Sequence, residues 1–237
     1  MGGRGCQIME GFLMEKQSLS AKEALEKLKK GNKRYMEVSA NPGDISAKLR
    51  KDTCLNGQNP YAVIITCSDS RVIPEGIFTA GIGELFVIRV AGDVSVIITN
   101  LIYQRILPLL SRKDESVGQE NFFMSGGAGN VMDRHQIGSV EYGAEHLGCK
   151  LVVVLGHDHC GAVGAAIHDE PSGFVKFITD EIRRAIGDEK DEFKASCLNV
   201  KQSVSMLKES LKFGQDGDVK VVGAIYHIED GAVEFLD

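Results

Sequence analysis

Three short runs along the chain are almost wholly apolar and rich in β-branched residues: Tyr61–Thr66 (YAVIIT), Leu85–Val90 (LFVIRV) and Leu151–Leu155 (LVVVL). A strand with one wet face would alternate apolar and polar positions. These do not, so they read as strands buried on both faces, as in a parallel sheet covered by helices. Around them the period changes. Ala21, Ala24, Leu25, Leu28 and Tyr35 recur at helical spacing, and Ser20 with Glu23 forms a capping box, which predicts a helix over 20–37. Residues 39–60 carry Pro42, Gly43, Gly57 and Pro60 and read as loop with a short helix. Residues 137–147 fit a helix closed by Gly148, and 172–187 and 189–212 fit two more. Val219–Tyr226 and Ala232–Leu236 read as a terminal hairpin around Glu229–Gly231. Strands alternating with helices argue for an α/β fold.

One stretch breaks the pattern. Residues 93–128 begin apolar but are interrupted by Asn100, Gln104, Arg105 and Pro108, and end polar and glycine-rich. The apolar half is too short and too polar to span a membrane. The expected organisation is an N-terminal extension over 1–19 and a single α/β domain over 20–237, interrupted by an insertion at 93–128. The extension carries Glu10 and Glu15 and no long apolar core, so it does not read as a secretory signal. Cys6 stands where a myristoylation signal following Gly2 needs Ser or Thr.

Composition narrows the picture further. The 237 residues suffice for a sizeable core, and 43% hydrophobic with 25% charged residues is ordinary for a globular protein. Lys and Arg number 27 against 33 Asp and Glu, a net charge of −6, which gives no electrostatic reason to bind nucleic acid. Six irregularly spaced cysteines in a chain this long argue against a disulfide framework and for reduced thiols in the cytoplasm, some of them available to a metal.

Two of those cysteines sit in polar segments that follow buried strands. Cys67-Ser68-Asp69-Ser70-Arg71 comes directly after the first, and Gly156-His157-Asp158-His159-Cys160-Gly161 directly after the third. In open α/β sheets, ligands bind beyond the carboxyl ends of the strands, so the two segments can meet at one edge. Together they offer two thiolates and an imidazole, and two Cys plus one His with an open position is a catalytic zinc set. The spacing of His157 and Cys160 suits a turn entering a helix, whose N-terminus favours a thiolate.

C-S-D-S-R-V and G-H-x-x-C-G, with V-x-P-E-x-I-F after the first and E-Y-x-x-E-H-L-G before the second, resemble a β-class carbonic anhydrase from about residue 20 to the C-terminus. The resemblance implies a mostly parallel central sheet flanked by helices, with an antiparallel strand at the C-terminus. It implies Zn2+ held by Cys67, His157 and Cys160, with Asp69 and Arg71 as the dyad beside it. The implied reaction is the reversible hydration of CO2 to bicarbonate and a proton by zinc-bound hydroxide. Asp69 would accept the hydroxide's hydrogen bond, and Arg71 would hold Asp69 ionised and off the metal. Some members of the family let this Asp occupy the fourth zinc position and have a bicarbonate pocket built partly on Trp; this chain has no Trp, which points to the open type.

The same resemblance assigns Gln58 to a substrate hydrogen bond, Phe86, Ala91 and Tyr142 to apolar walls, and the Gly161 backbone N–H to bicarbonate. It implies homodimers whose pockets borrow residues from both subunits, or homotetramers. His159 is a proton-shuttle candidate by proximity. The chain departs from the family's R-N-A-G-N, with Val90 following Arg89, and the 93–128 segment splits that region. The alternatives are a COS or CS2 hydrolase on the same site, or a catalytically silent zinc protein whose pocket the insertion closes.

Overall fold

The computed structural model describes residues 18–37, 43–91, 134–211 and 218–236. The 93–128 segment and residues 1–17 of the N-terminal extension lie outside the described residues. The first helix, α1 (Ala21–Glu37), begins at the expected capping box: Glu23 Oε2 accepts from the Ser20 backbone N–H at 2.9 Å and from its hydroxyl at 2.6 Å, and the Glu23 N–H donates to Ser20 Oγ at 3.3 Å. The short helix in the polar stretch is α2 (Ala47–Asn56), capped by the Ser46 hydroxyl accepting from the Leu49 N–H.

The sheet follows. Strands β1 (Ala62–Cys67), β2 (Leu85–Val90), β3 (Leu151–His157), β4 (Lys220–Tyr226) and β5 (Val233–Leu236) lie in the order β2-β1-β3-β4-β5. The first three interfaces are parallel and only β4·β5 is antiparallel, so the C-terminal hairpin forms as expected. Every residue of β1 and β3 is buried. Alternate side chains enter opposite cores. Ala62, Ile64, Val153 and Leu155 join Ala24 and Leu28 of α1 on one face. Val63, Ile65, Val152 and Val154 meet Val140, Ala144, Val200 and Leu207 on the other. Each such Val, Leu or Ile contributes about 1.5–3 kcal/mol by leaving water. This explains the unbroken apolar runs in the sequence.

Between the strands lie α3 (Pro74–Ile77) and α4 (Arg134–Glu141), the latter continuing into a wider turn over Tyr142–His146. Three helices, α5 (Gly161–His168), α6 (Gly173–Ile186) and α7 (Glu192–Ser210), separate β3 from β4. The expected helix over 137–147 is thus a regular helix that loosens at Tyr142. Its closing N–H bond runs from Leu147 to the Tyr142 carbonyl at 3.1 Å, and Gly148 takes φ 74° to turn the chain toward β3.

Where α1 crosses the end of α3, a Cβ on Gly31 would stand 1.9 Å from the Phe78 carbonyl oxygen. The Thr79 hydroxyl donates to the Gly31 carbonyl at 2.6 Å across the same contact. Alanine gains up to about 1 kcal/mol of helix propensity over glycine. Forcing apart two backbones costs about 1–3 kcal/mol or more. Gly31→Ala is therefore expected to lower stability by about 2 kcal/mol in urea denaturation; an unchanged midpoint would show that α1 does not pack this closely.

Candidate metal centre

The chain leaves β1 toward β2 on one side and leaves β3 toward β4 on the other. The sheet's switch point therefore lies between β1 and β3, and a crevice opens beyond their carboxyl ends. Cys67 is the last residue of β1, His157 the last of β3, and Cys160 the residue that caps α5. Their ligand atoms all lie within 4.8 Å of one another, and all three residues are buried. Below them Val163, Ala166, Ile182, Ile186 and Ala195 form a small apolar floor.

The donors fit a metal ion. His157 Nδ1 stands 2.7 Å from the Asp158 carbonyl, which only accepts, so Nδ1 carries the proton and Nε2 presents its lone pair. Nε2 is buried and has no nitrogen or oxygen hydrogen-bond partner. Burial alone would lower the pKa of His157; the Cys67 sulfur, the Asp158 carbonyl and the Asp69 carboxylate outweigh it and raise the value. A position that favours positive charge, ringed by two sulfurs and an imidazole nitrogen without a nitrogen or oxygen partner, suits a thiophilic divalent cation. At the start of α5, Cys160 also meets the positive end of the helix dipole.

Asp69 and Arg71 form a two-pronged pair beside this cluster. Arg71 Nε donates to Oδ1 at 3.0 Å and Nη2 to Oδ2 at 2.7 Å. The Arg71 backbone N–H also donates to Oδ1, at 2.9 Å. Arg71 Nη2 reaches on to the His159 carbonyl at 3.1 Å, tying the loop after β1 to the loop after β3. His159 itself is exposed and takes φ 48°, a left-handed conformation that aims its carbonyl at Arg71. Asp69 Oδ2 lies 4.0 Å from His157 Nε2. The hydrogen bonds from Arg71 outweigh partial burial and hold the Asp69 carboxyl well below the usual carboxylate range. A depressed value means the pair's stabilisation is present above the ordinary carboxylate pKa and is lost only as pH falls below it. We expect the Asp69 carboxyl carbon to show no protonation step above about pH 4 in an NMR titration; a step near neutrality would contradict the pairing.

Asp158 links the centre to the C-terminal hairpin. Its Oδ1 accepts from the Ile228 N–H at 3.0 Å, and its Oδ2 lies 3.5 Å from His227 Nδ1. The sequence offered no sign of this brace, because the partners of Asp158, His227 and Ile228, lie outside both motifs.

The substrate positions divide. Gly161 follows Cys160 directly, with open space where a side chain would be. Ala91 follows β2 and is exposed at the same sheet edge. The other three lie elsewhere in the chain. Phe86 pairs with Val63, four residues before Cys67, about 13 Å back along the strand. Tyr142 packs on Phe86 with ring centroids 6.0 Å apart and is 46% exposed. Gln58 precedes β1 at the amino edge of the sheet, where the Asn59 N–H donates to the Gly83 carbonyl. One chain does not bring Gln58, Phe86 or Tyr142 to Cys67.

Among the described residues no helix is long and apolar enough to cross a membrane. The family model for carbonic anhydrase matches residues 62–105 and 114–233. A carbonic anhydrase of Mycolicibacterium smegmatis is 33% identical, over 87% of this chain and 89% of its own length. Among solved structures, the β-carbonic anhydrase CafA of Aspergillus fumigatus superposes with a TM-score of 0.59 at 22% identity, covering 80% of this chain and 81% of that one. A tetrameric β-carbonic anhydrase from Sordaria macrospora gives 0.55 at 21% identity, covering 80% and 91%. A mostly parallel sheet closed by an antiparallel strand, two cysteines and a histidine gathered at its switch point, and a relative this similar along most of both chains lead to one assignment: the chain belongs to the β-class carbonic anhydrases, enzymes of the carbonate dehydratase type.

Proposed function

We propose that this chain hydrates CO2 reversibly to bicarbonate and a proton, with Zn2+ held by Cys67, His157 and Cys160. The observation that carries the reading is the buried His157 Nε2, with no nitrogen or oxygen partner, beside two cysteine sulfurs and within 4.0 Å of Asp69. Zinc, when bound, acts as a Lewis acid that draws the pKa of water toward neutrality. Asp69, ionised and fixed by Arg71, accepts a hydrogen bond from the attacking water and aims its lone pair at the carbon of CO2. Arg71 keeps that carboxylate turned toward itself, which favours the open type of site over one in which Asp69 fills the fourth position. The Gly161 N–H, at the start of α5, receives a bicarbonate oxygen.

Gln58, Phe86 and Tyr142 complete the pocket from a second copy of the chain, in a homodimer or homotetramer. Their distance from Cys67 within one chain and the exposure of Tyr142 support this arrangement. The domain runs over 20–237 and is interrupted by an insertion at 93–128. A reducing compartment such as the cytoplasm suits two cysteine ligands. The test sets CO2 hydration against COS and CS2 hydrolysis on the same preparation. Turnover of CO2 well above that of either sulfur analogue supports the reading. Preference for a sulfur analogue overturns it.

A further inference from the structure

Beyond the dyad, a second arginine holds the same turn. Ser68 N–H donates to the Val90 carbonyl at 2.9 Å, continuing the pairing of β1 with β2 by one residue. Past that point the chain turns over: the Val72 N–H donates to the Asp69 carbonyl at 3.1 Å, and the Arg71 N–H donates to the Asp69 carboxylate. Arg89, next to last in β2, reaches across this turn. Its Nη2 donates to the Asp69 carbonyl and to the Val72 carbonyl, both at 2.8 Å. One nitrogen thus grips the first and last carbonyls of the turn, on either side of Arg71. A charged residue is out of keeping with the rest of LFVIRV, and this grip accounts for it.

We propose that Arg89 is a positioning residue for the hydration reaction, fixing from β2 the turn that aims Asp69; the inference rests on the function proposed above. Arg89 touches neither the cysteine sulfurs nor the Asp69 carboxylate in the contacts described, so it acts through the backbone of the turn. Asp69 must be placed to within a fraction of an ångström to orient an attacking water, and a clamp on its own carbonyl sets that placement.

The test uses Arg89→Ala and Arg89→Gln in the full-length protein. The first reading is backbone amide exchange at Arg71 and Val72, with Ile64 and Ile65 in β1 as internal references. We expect exchange at the turn to rise about tenfold or more while β1 is unchanged. The second is steady-state kinetics, where kcat should fall about 10- to 100-fold with zinc content intact and KM little changed. Millimolar guanidinium should restore part of kcat in Arg89→Ala and none in Asp69→Asn. Unchanged exchange at the turn, or unchanged kcat in both variants, overturns the proposal. So does a loss of kcat that tracks lost zinc or lost stability and does not respond to guanidinium. Wild-type turnover is the control: its absence refutes the proposed function, and unprotected turn amides in the variants would then still establish the clamp.

Discussion

Cys67→Ala is expected to remove stoichiometric zinc and CO2 hydration together. The three ligand atoms lie within 4.8 Å, so each is a third of the donor set, and no other cysteine, histidine or carboxylate joins that group among the described residues. Losing an outer partner of a metal ligand costs about 10- to 100-fold in affinity or activity, so losing the ligand itself should cost more. The fold should survive. Cys67 sits at the end of β1 among apolar neighbours, and alanine keeps that surface apolar. Cys54→Ala, at an exposed position on α2, serves as the control and should change neither zinc nor rate. Zinc by mass spectrometry of the metal and far-UV circular dichroism, taken on the same samples, separate lost ligation from lost fold. A Cys67→Ala protein with full zinc and full rate would sink the assignment of the centre.

Asp69→Asn separates binding from chemistry. The amide has nearly the shape of the carboxylate and is no part of the cysteine–histidine cluster, so zinc should stay. The charge is lost, and with it the two-pronged acceptor for Arg71. Asparagine would offer Arg71 one carbonyl oxygen and turn an NH2 donor toward the water that Asp69 should accept from. Hydration is expected to fall by about 10²-fold or more, the range for a lost proton acceptor in the transition state. The loss should appear in kcat and kcat/KM alike, because the hydrogen bond orients the attacking water and does not hold CO2. A rate near that of the wild type would refute the role given to Asp69.

The sequence carried the frame of this site well, for physical reasons that can be named. β1 and β3 are buried on both faces, so their apolar runs stand out. Both metal segments were legible because each is a polar burst directly after such a run. Other elements were harder. α5 (GAVGAAIH) is small and apolar all round, without the charged stripe that marks a surface helix, and only the Cys160 turn hinted at it. α3 is four residues long, too short for any period to register. The widening at Tyr142 depends on one N–H reaching a carbonyl a residue further back, which hydrophobic spacing does not encode.

The pocket residues show a different limit. The resemblance assigns Gln58, Phe86 and Tyr142 to the pocket, but spacing along the chain does not say how far from Cys67 they fall. Strand register does, by setting Phe86 opposite Val63 and so well back from Cys67. Arg89 was visible as a charge in an apolar strand, yet its partners are backbone carbonyls of another loop, and no residue pattern announces those.

The central claim is that the cluster at the switch point, as folded in the whole chain, is a working hydration centre. Stopped-flow CO2 hydration at mildly alkaline pH, on full-length protein whose zinc per chain is measured on the same sample, tests it most directly. Fast turnover with about one zinc per chain, from three ligands at one site, is the predicted result. Stoichiometric zinc without turnover would contradict it, and would mean that the 93–128 segment or the oligomer shuts a site that is otherwise assembled.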